Sequence, residues 1–196
     1  MATNPLNFTV LSTSLSPGSR SRALAHLAAE RLTAQGHQVT RLDLRDTPLP
    51  AFDDDQTYGH PNVQLYRRAI DAADGVLLAL PVYNWATGSG AKNLIELTGS
   101  HSTTRNLTAV WFDKPVTFLV AGGLMHSYAA HHPLALGLMT DFKCLVNPYH
   151  VYAVGEDWDG ETLGPPIAAR LDKTLNVAIE LAQKLDGRTY RSTWEM

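Results

Sequence analysis

A chain of 196 residues, 44% hydrophobic and 18% charged, has the make-up of one well-cored globular domain, which sets aside the disordered and fibrous classes. Its formal net charge of -3 argues against a nucleic-acid partner, since phosphate recognition needs clustered Lys and Arg. No apolar run approaches the ~20 residues of a membrane span, and Met1 to Asn7 lacks the basic start and apolar core of a signal peptide, so the expectation is a cytoplasmic protein.

Along the chain, Phe8 to Leu11 reads as a strand and is followed by the Ser/Pro/Gly-rich stretch Ser12 to Ser21. Leu24, Leu27, Ala28 and Leu32 then recur at helical spacing until Gly36, which stops the helix. Val39 to Leu44 alternates as a second strand. Thr47 to Pro61 is a polar connection whose run Asp53, Asp54 and Asp55 reads as solvated loop, and Asp43 and Asp46 receive the same reading.

Val63 to Ala73 fits a helix with Leu65, Tyr66, Ala69, Ile70 and Ala73 inward. Val76 to Leu80 and Val116 to Ala121 are continuous apolar runs, as expected of strands covered on both faces. Ala91 to Leu97 and Leu134 to Phe142 are helical in pattern, and a fifth strand starts at Leu145. Cys144, the single cysteine, sits among apolar neighbours and suits a buried structural thiol. Ala168 to Leu185 closes the chain as a helix, with residues 1–6 and 188–196 expected as tails of a single domain.

Strands alternating with helices imply a parallel, doubly wound α/β sheet with right-handed crossovers, and the strand order expected is 2-1-3-4-5. Ligands of such sheets sit beyond the carboxyl ends of the strands where strand order reverses, which singles out the loops after strands one, three and four. The first, Ser12 to Ser21, is built like an anion cup: Ser12, Ser14, Ser16, Ser19 and Ser21 offer hydroxyls, Arg20 a guanidinium, and the following helix its N-terminal N–H groups. A simpler reading has Ser19 or Ser21 only capping the helix. The loop has neither the Gly-x-Gly-x-x-Gly of dinucleotide folds nor the Gly-Lys-Ser/Thr of triphosphate loops, so a terminal monophosphate matches it better.

After the third strand come Pro81, Val82, Tyr83, Asn84, Trp85 and Ala86, then a small-residue turn and Lys92-Asn93-Leu94-Ile95-Glu96. An aromatic pair and an amide on such a loop suit a planar heterocycle, although Tyr83 and Trp85 equally suit a subunit interface. Pro-x-Tyr-Asn followed by Lys-Asn-x-Ile-Glu resembles the signature of the NAD(P)H-dependent FMN reductases, and the hydroxyl-rich first loop is similar to that of the flavin reductases serving sulfonate monooxygenases. The resemblance implies a flavodoxin-like three-layer sandwich with a five-stranded parallel sheet and FMN as cofactor. It also implies NADPH or NADH as donor, a small-molecule acceptor or a flavin-using monooxygenase as partner, and a homodimer or homotetramer. It places the isoalloxazine ring along Tyr83, Asn84 and Trp85, and its pyrimidine end near Gly122 and Gly123. Many members carry arginine where Ser16 stands, which leaves Arg20 as the expected guanidinium for the phosphate.

In such an enzyme the flavin carries the chemistry, so no catalytic side chain is assigned. The rival reading is a non-enzymatic electron carrier, against which stand the mild charge and the Arg20-bearing loop. His131 and His132 are expected to point apart, which disfavours shared metal binding. His126, Ser127 and Tyr128 read as a mobile loop, Tyr149, His150 and Tyr152 as packing. Gly99 to Lys114, with Trp111 and Phe112, is expected to shape the pocket or the oligomer.

Overall fold

The computed structural model describes residues 4–99 and 109–194. Three central strands, β1 (Asn7–Ser12), β3 (Gly75–Tyr83) and β5 (Pro115–Ala121), lie parallel, with β2 (Gln38–Asp43) at one edge. β-branched and leucine-rich runs with no polar face need cover on both sides, and the helices supply it. Along β3, Leu77 and Ala79 face a cluster built with Leu24, Ala28 and Leu32 of α1 (Arg20–Ala34) and Leu171, Leu175 and Ala178 of α5 (Pro165–Asp186). Val76, Leu78 and Leu80 face the opposite cluster with Tyr66 and Ile70 of α2 (Pro61–Asp71), Leu94 of α3 (Ser89–Gly99) and Leu138 of α4 (His132–Asp141). The period-two alternation of a strand thus splits one apolar run between two cores.

The sheet order matches the expected 2-1-3-4-5 in its first four positions, and the fifth is broken in two. β6 (Leu145–Val146) pairs with the start of β5, and β7 (Val151–Ala153) pairs with its end. Pro148 lies in the gap, where it has no N–H for a ladder. Asn147 fills the break instead: its Nδ2 donates to Thr117 Oγ1 at 3.1 Å and to the Thr174 carbonyl at 3.0 Å. A short strand β4 (Ala86–Thr87) folds back antiparallel on β3, and β8 (Trp158–Asp159) pairs with β9 (Thr162–Leu163) as a separate hairpin.

Several expectations are corrected. Leu65 is 38% exposed, because α2 begins at Pro61 and turns Val63, Tyr66 and Ile70 inward instead. Within the Thr47 to Pro61 connection, Asp53, Asp54 and Asp55 are exposed as the solvated-loop reading expects, while Tyr58 is buried and its hydroxyl donates to Asp54. Trp111 and Phe112 belong to the core beside α3, with Trp111 Nε1 donating to Thr98 Oγ1 at 2.8 Å; residues 100–108 of that segment lie outside the described residues. Residues 189–194 do not trail away: the Ser192 amide donates to the buried Asp113, and Trp194 meets Phe112 edge-on with ring centres 4.9 Å apart. Cys144 is buried as expected, and burial pushes its thiol up to about 12.

Candidate functional site

Parallel register brings Ser12 beside Ala79, and Pro81 beside Ala121, so β1, β3 and β5 end at the same edge of the sheet. The strand ends and the chain that follows them line one cleft of about 200 Å³. Ser14, Ser16, Ser19, Arg20 and Ser21 form one wall, Pro81, Val82 and Tyr83 a second, and Gly122 and Gly123 a third. Ser12 is not on the lining; it is buried at the end of β1, beneath the loop. Asn84 and Trp85 form the turn between β3 and β4 and Ala86 opens β4, all three outside the lining.

The first loop is held down by Thr13, whose amide and hydroxyl both donate to the Ala79 carbonyl, at 3.1 and 3.0 Å. Ser14 Oγ accepts from the Ser16 amide, and Ser19 Oγ caps α1 by accepting from the Arg22 amide at 3.2 Å. No acidic residue occupies the first turn of α1, so the positive end of the helix dipole faces the loop uncompensated. The Arg20 side chain is exposed and makes no hydrogen bond or ion pair among the described residues.

Arg22 is the organising residue that motif reading missed. It does not line the cleft; its Nη1 donates to the Ser16 carbonyl at 2.7 Å and its Nη2 to the Ser14 carbonyl at 2.8 Å, with a longer contact to the Pro17 carbonyl. In a planar trans peptide the next N–H points opposite its carbonyl, so the Leu15 and Gly18 amides are aimed away from Arg22. Asp43 holds the guanidinium at two points, Nε and Nη2, and accepts the Arg45 amide as well. Burial alone would raise the Asp43 carboxyl, but these hydrogen bonds and the guanidinium charge outweigh it and hold the group below its ordinary value. Asp43 is therefore a buried anchor and not the solvated loop residue expected. The available signal was its place at the end of β2, paired with Ser12.

On the second wall, Tyr83 pairs with Ala86 across a two-residue turn in which Asn84 (φ 49°) and Trp85 (φ 65°) are both left-handed. That is the primed hairpin geometry in which the second position favours glycine. A tryptophan there, 63% exposed beside a 52% exposed Tyr83, presents aromatic surface at the cleft rim.

The third wall departs from expectation. A Cβ on Gly122 would lie 2.2 Å from Tyr152 Oη, so this glycine makes room for a tyrosine, whereas nothing lies within 4 Å of a Cβ on Gly123. Tyr152 in turn shares a hydrogen bond with Ser127 Oγ at 2.8 Å and donates to the Leu124 carbonyl, tying down the segment of His126, Ser127 and Tyr128 expected to be a mobile loop. His131 and His132 do not point apart: their ring centres lie 4.5 Å from each other, and His150 comes within 4.4 Å of His131. His131 stands at the N-cap of α4, outside the helical spacing on which that expectation rested. Burial, with the neighbouring His150 and His132, pulls the His131 imidazole down to about 4. Among the described residues, no group of three or more His, Cys, Asp or Glu is placed to hold a metal ion.

Comparison with known proteins agrees with this architecture. The family model described as NADPH-dependent FMN reductase matches residues 6–159. A probable NADPH:quinone oxidoreductase 2 of Oryza sativa subsp. japonica is 27% identical over 95% of the chain and 94% of its own length. An NAD(P)H:quinone oxidoreductase of Solanum tuberosum is 28% identical over 89% of the chain and 92% of its own length. Among solved structures, the flavoenzyme NAD(P)H:(acceptor) oxidoreductase of Paracoccus denitrificans superposes with a TM-score of 0.73 at 18% identity, covering 91% of this chain and 98% of that one. An NADH:FMN oxidoreductase in its apo form gives 0.70 at 16% identity, covering 94% and 92%. These two likenesses establish a shared fold.

Proposed function

The chain belongs to the NADPH-dependent FMN reductase family and is an NAD(P)H-dependent flavin oxidoreductase, and from that premise we propose that its cleft seats FMN for the reduction of a quinone-class acceptor. The observation that carries the assignment is the convergence on one cleft of a hydroxyl-rich helix-capping loop, an aromatic-bearing strand end and a glycine pair.

The residues present fit that cofactor. A terminal phosphate is dianionic and needs several donors without a nearby acid; the first loop offers Ser14, Ser16, Ser19 and Ser21, the unengaged Arg20 and a helix start free of carboxylates. Tyr83 offers a flat apolar surface to the ring, and Gly123 an opening where no side chain intrudes. When bound, the flavin supplies a two-electron carrier between a nicotinamide donor and the second acceptor. The chain's own part is positional: Arg22 and Asp43 hold the phosphate loop in shape, Tyr152 fixes the loop after Gly122, and Tyr83 with Trp85 frames the entrance through which donor and acceptor take turns.

Quinone is favoured because the curated relatives that cover nearly the whole chain are quinone oxidoreductases, and because an aromatic rim suits a flat acceptor. Tyr83 and Trp85 at that rim, and Leu124, Met125 and Tyr128 in the loop that follows Gly123, are exposed apolar side chains, which supports self-association of the chain on this side. A lone buried thiol supports a reducing, cytoplasmic setting, and among the described residues no helix is long and apolar enough to cross a membrane.

The test is an absorbance spectrum of the protein with added FMN, followed anaerobically by NADPH and, separately, NADH, and then by a benzoquinone. Bleaching by a donor and recovery with the quinone is the expected sequence. Bound FMN that no donor bleaches would identify an electron carrier instead.

A further inference from the structure

Beside the phosphate loop, on the outer face of α1, lies a cavity of about 440 Å³ that the cleft does not use. We propose that this cavity receives the adenosine end of the nicotinamide dinucleotide, with Trp158 as the base platform and Arg20 as the shared anion contact between cavity and cleft. The inference rests on the donor reading above and adds where the part of the donor remote from the chemistry is held.

The volume falls within the range of pockets that hold small organic ligands. Gly18, Ser19 and Arg20 line both the cavity and the cleft, so the loop is their common boundary and an elongated ligand lying over it would reach from one to the other. Trp158, at the start of the β8 hairpin, packs partly against the core and lines the cavity together with Ala23 and His26 of α1, the aromatic surface there for a base. The Arg20 guanidinium lies against the backbone of Gly155, where a Cβ would come within 2.9 Å of its Nη1, and it has no hydrogen-bond or ion-pair partner among the described residues. Arg22 also borders the cavity, but its charge is committed to Asp43, so a bridging phosphate would share the Arg20 guanidinium with the FMN phosphate. Glu30 and Glu161 also line the cavity, where their carboxylates would accept from ribose hydroxyls.

The test compares the preferred dinucleotide with reduced nicotinamide mononucleotide, which carries the same reactive ring and lacks the adenosine half. Ala23→Phe fills the cavity from the helix surface without removing a polar contact, and Trp158→Leu removes the platform. In the FMN-loaded protein, each variant is expected to raise KM for the dinucleotide by about tenfold or more, the scale of one lost base stack, with kcat and FMN content unchanged and the mononucleotide kinetics untouched. Independently of turnover, ADP-ribose should bind the FMN-loaded wild type by calorimetry and fail to bind Ala23→Phe. Equal effects on both donors, an unchanged dinucleotide KM, or a wild type that uses the mononucleotide as well as the dinucleotide would each overturn the cavity assignment and leave the oxidoreductase reading standing. Absence of flavin bleaching by every donor, with ADP-ribose not bound, would overturn both.

Discussion

Arg22 and Asp43 form a two-point ion pair behind the first loop, with Arg22 Nη2 donating to Asp43 Oδ1 at 3.1 Å and Nε donating to Oδ2. Both side chains are largely buried, at 14% and 8% exposure, and the guanidinium spends its remaining donors on loop carbonyls. The pair therefore links the last residue of β2 to the shape of a loop more than twenty residues away in sequence.

Arg22→Met should leave a buried carboxylate without its partner, a change that costs about 3 kcal/mol or more. It should also free the Ser14 and Ser16 carbonyls to turn, so FMN affinity falls by about tenfold or more while riboflavin, which has no phosphate, binds as before. Urea unfolding and parallel titrations with the two flavins check this. Unchanged FMN affinity would mean that the loop's shape does not depend on Arg22, and equal weakening of both flavins that the loss does not run through the phosphate.

The stability of the protein should fall between neutral and mildly acid pH through His131. Its folded value of about 4 lies below the ordinary 6.5, so over that interval the unfolded chain binds the proton and the folded chain does not. The contribution is complete above 6.5 and is lost progressively as pH falls toward 4, amounting to about 3 kcal/mol for one such group. His131→Gln removes the titration, and its Tm difference from wild type should shrink as the pH is lowered from 7 to 4.5. A constant difference across that range would assign the acid sensitivity elsewhere. Asp43 acts in the same direction only at lower pH, since its depressed carboxyl loses its stabilising charge as the pH drops through and below the ordinary carboxylate range.

What the sequence disclosed, and what it hid, follows from how far each inference reaches along the chain. The apolar runs of β3 and β5 and the helical spacing in α1 and α5 are local, and they led directly to a doubly wound sheet and to the three loops at its edge. Arg22 looked like any polar residue in a first helical turn, because its value lies in contacts with carbonyls that appear only once the loop has folded. Gly122 read as a ligand-side glycine; the residue that demands it, Tyr152, arrives beside it through the register of β7 against β5. His150 likewise reaches His131 only through the fold, across α4 and the broken fifth strand. Pairings between distant elements are set by packing, and no local pattern announces them.

The two glycines of the third wall should respond differently to the same substitution. Gly122→Ala drives a methyl into Tyr152, a rigid ring held by Ser127 and the Leu124 carbonyl, and overpacking of this kind costs about 1–3 kcal/mol. Gly123→Ala meets no atom within 4 Å and should leave the melting temperature nearly unchanged. Differential scanning calorimetry of both variants separates them. Equal destabilisation would show that the wall is read wrongly, and Gly122→Ala with Tyr152→Leu should recover much of the loss.

Trp85 holds a left-handed conformation that costs a residue with a Cβ about 1–2 kcal/mol, and its ring is exposed, so burial returns little. Trp85→Gly relieves the backbone and adds about 0.5–1 kcal/mol of unfolded-chain freedom against it. The net stability should therefore stay level or rise slightly. Such a residue is kept for what its side chain does at the cleft rim, so the same variant should lose about tenfold or more in kcat/KM with benzoquinone, the scale of one aromatic contact to a flat acceptor. FMN content should stay full, because the ring stands outside the cleft lining. A variant that is destabilised by several kcal/mol would make Trp85 a structural residue, and one with unchanged quinone kinetics would take it out of the acceptor's path.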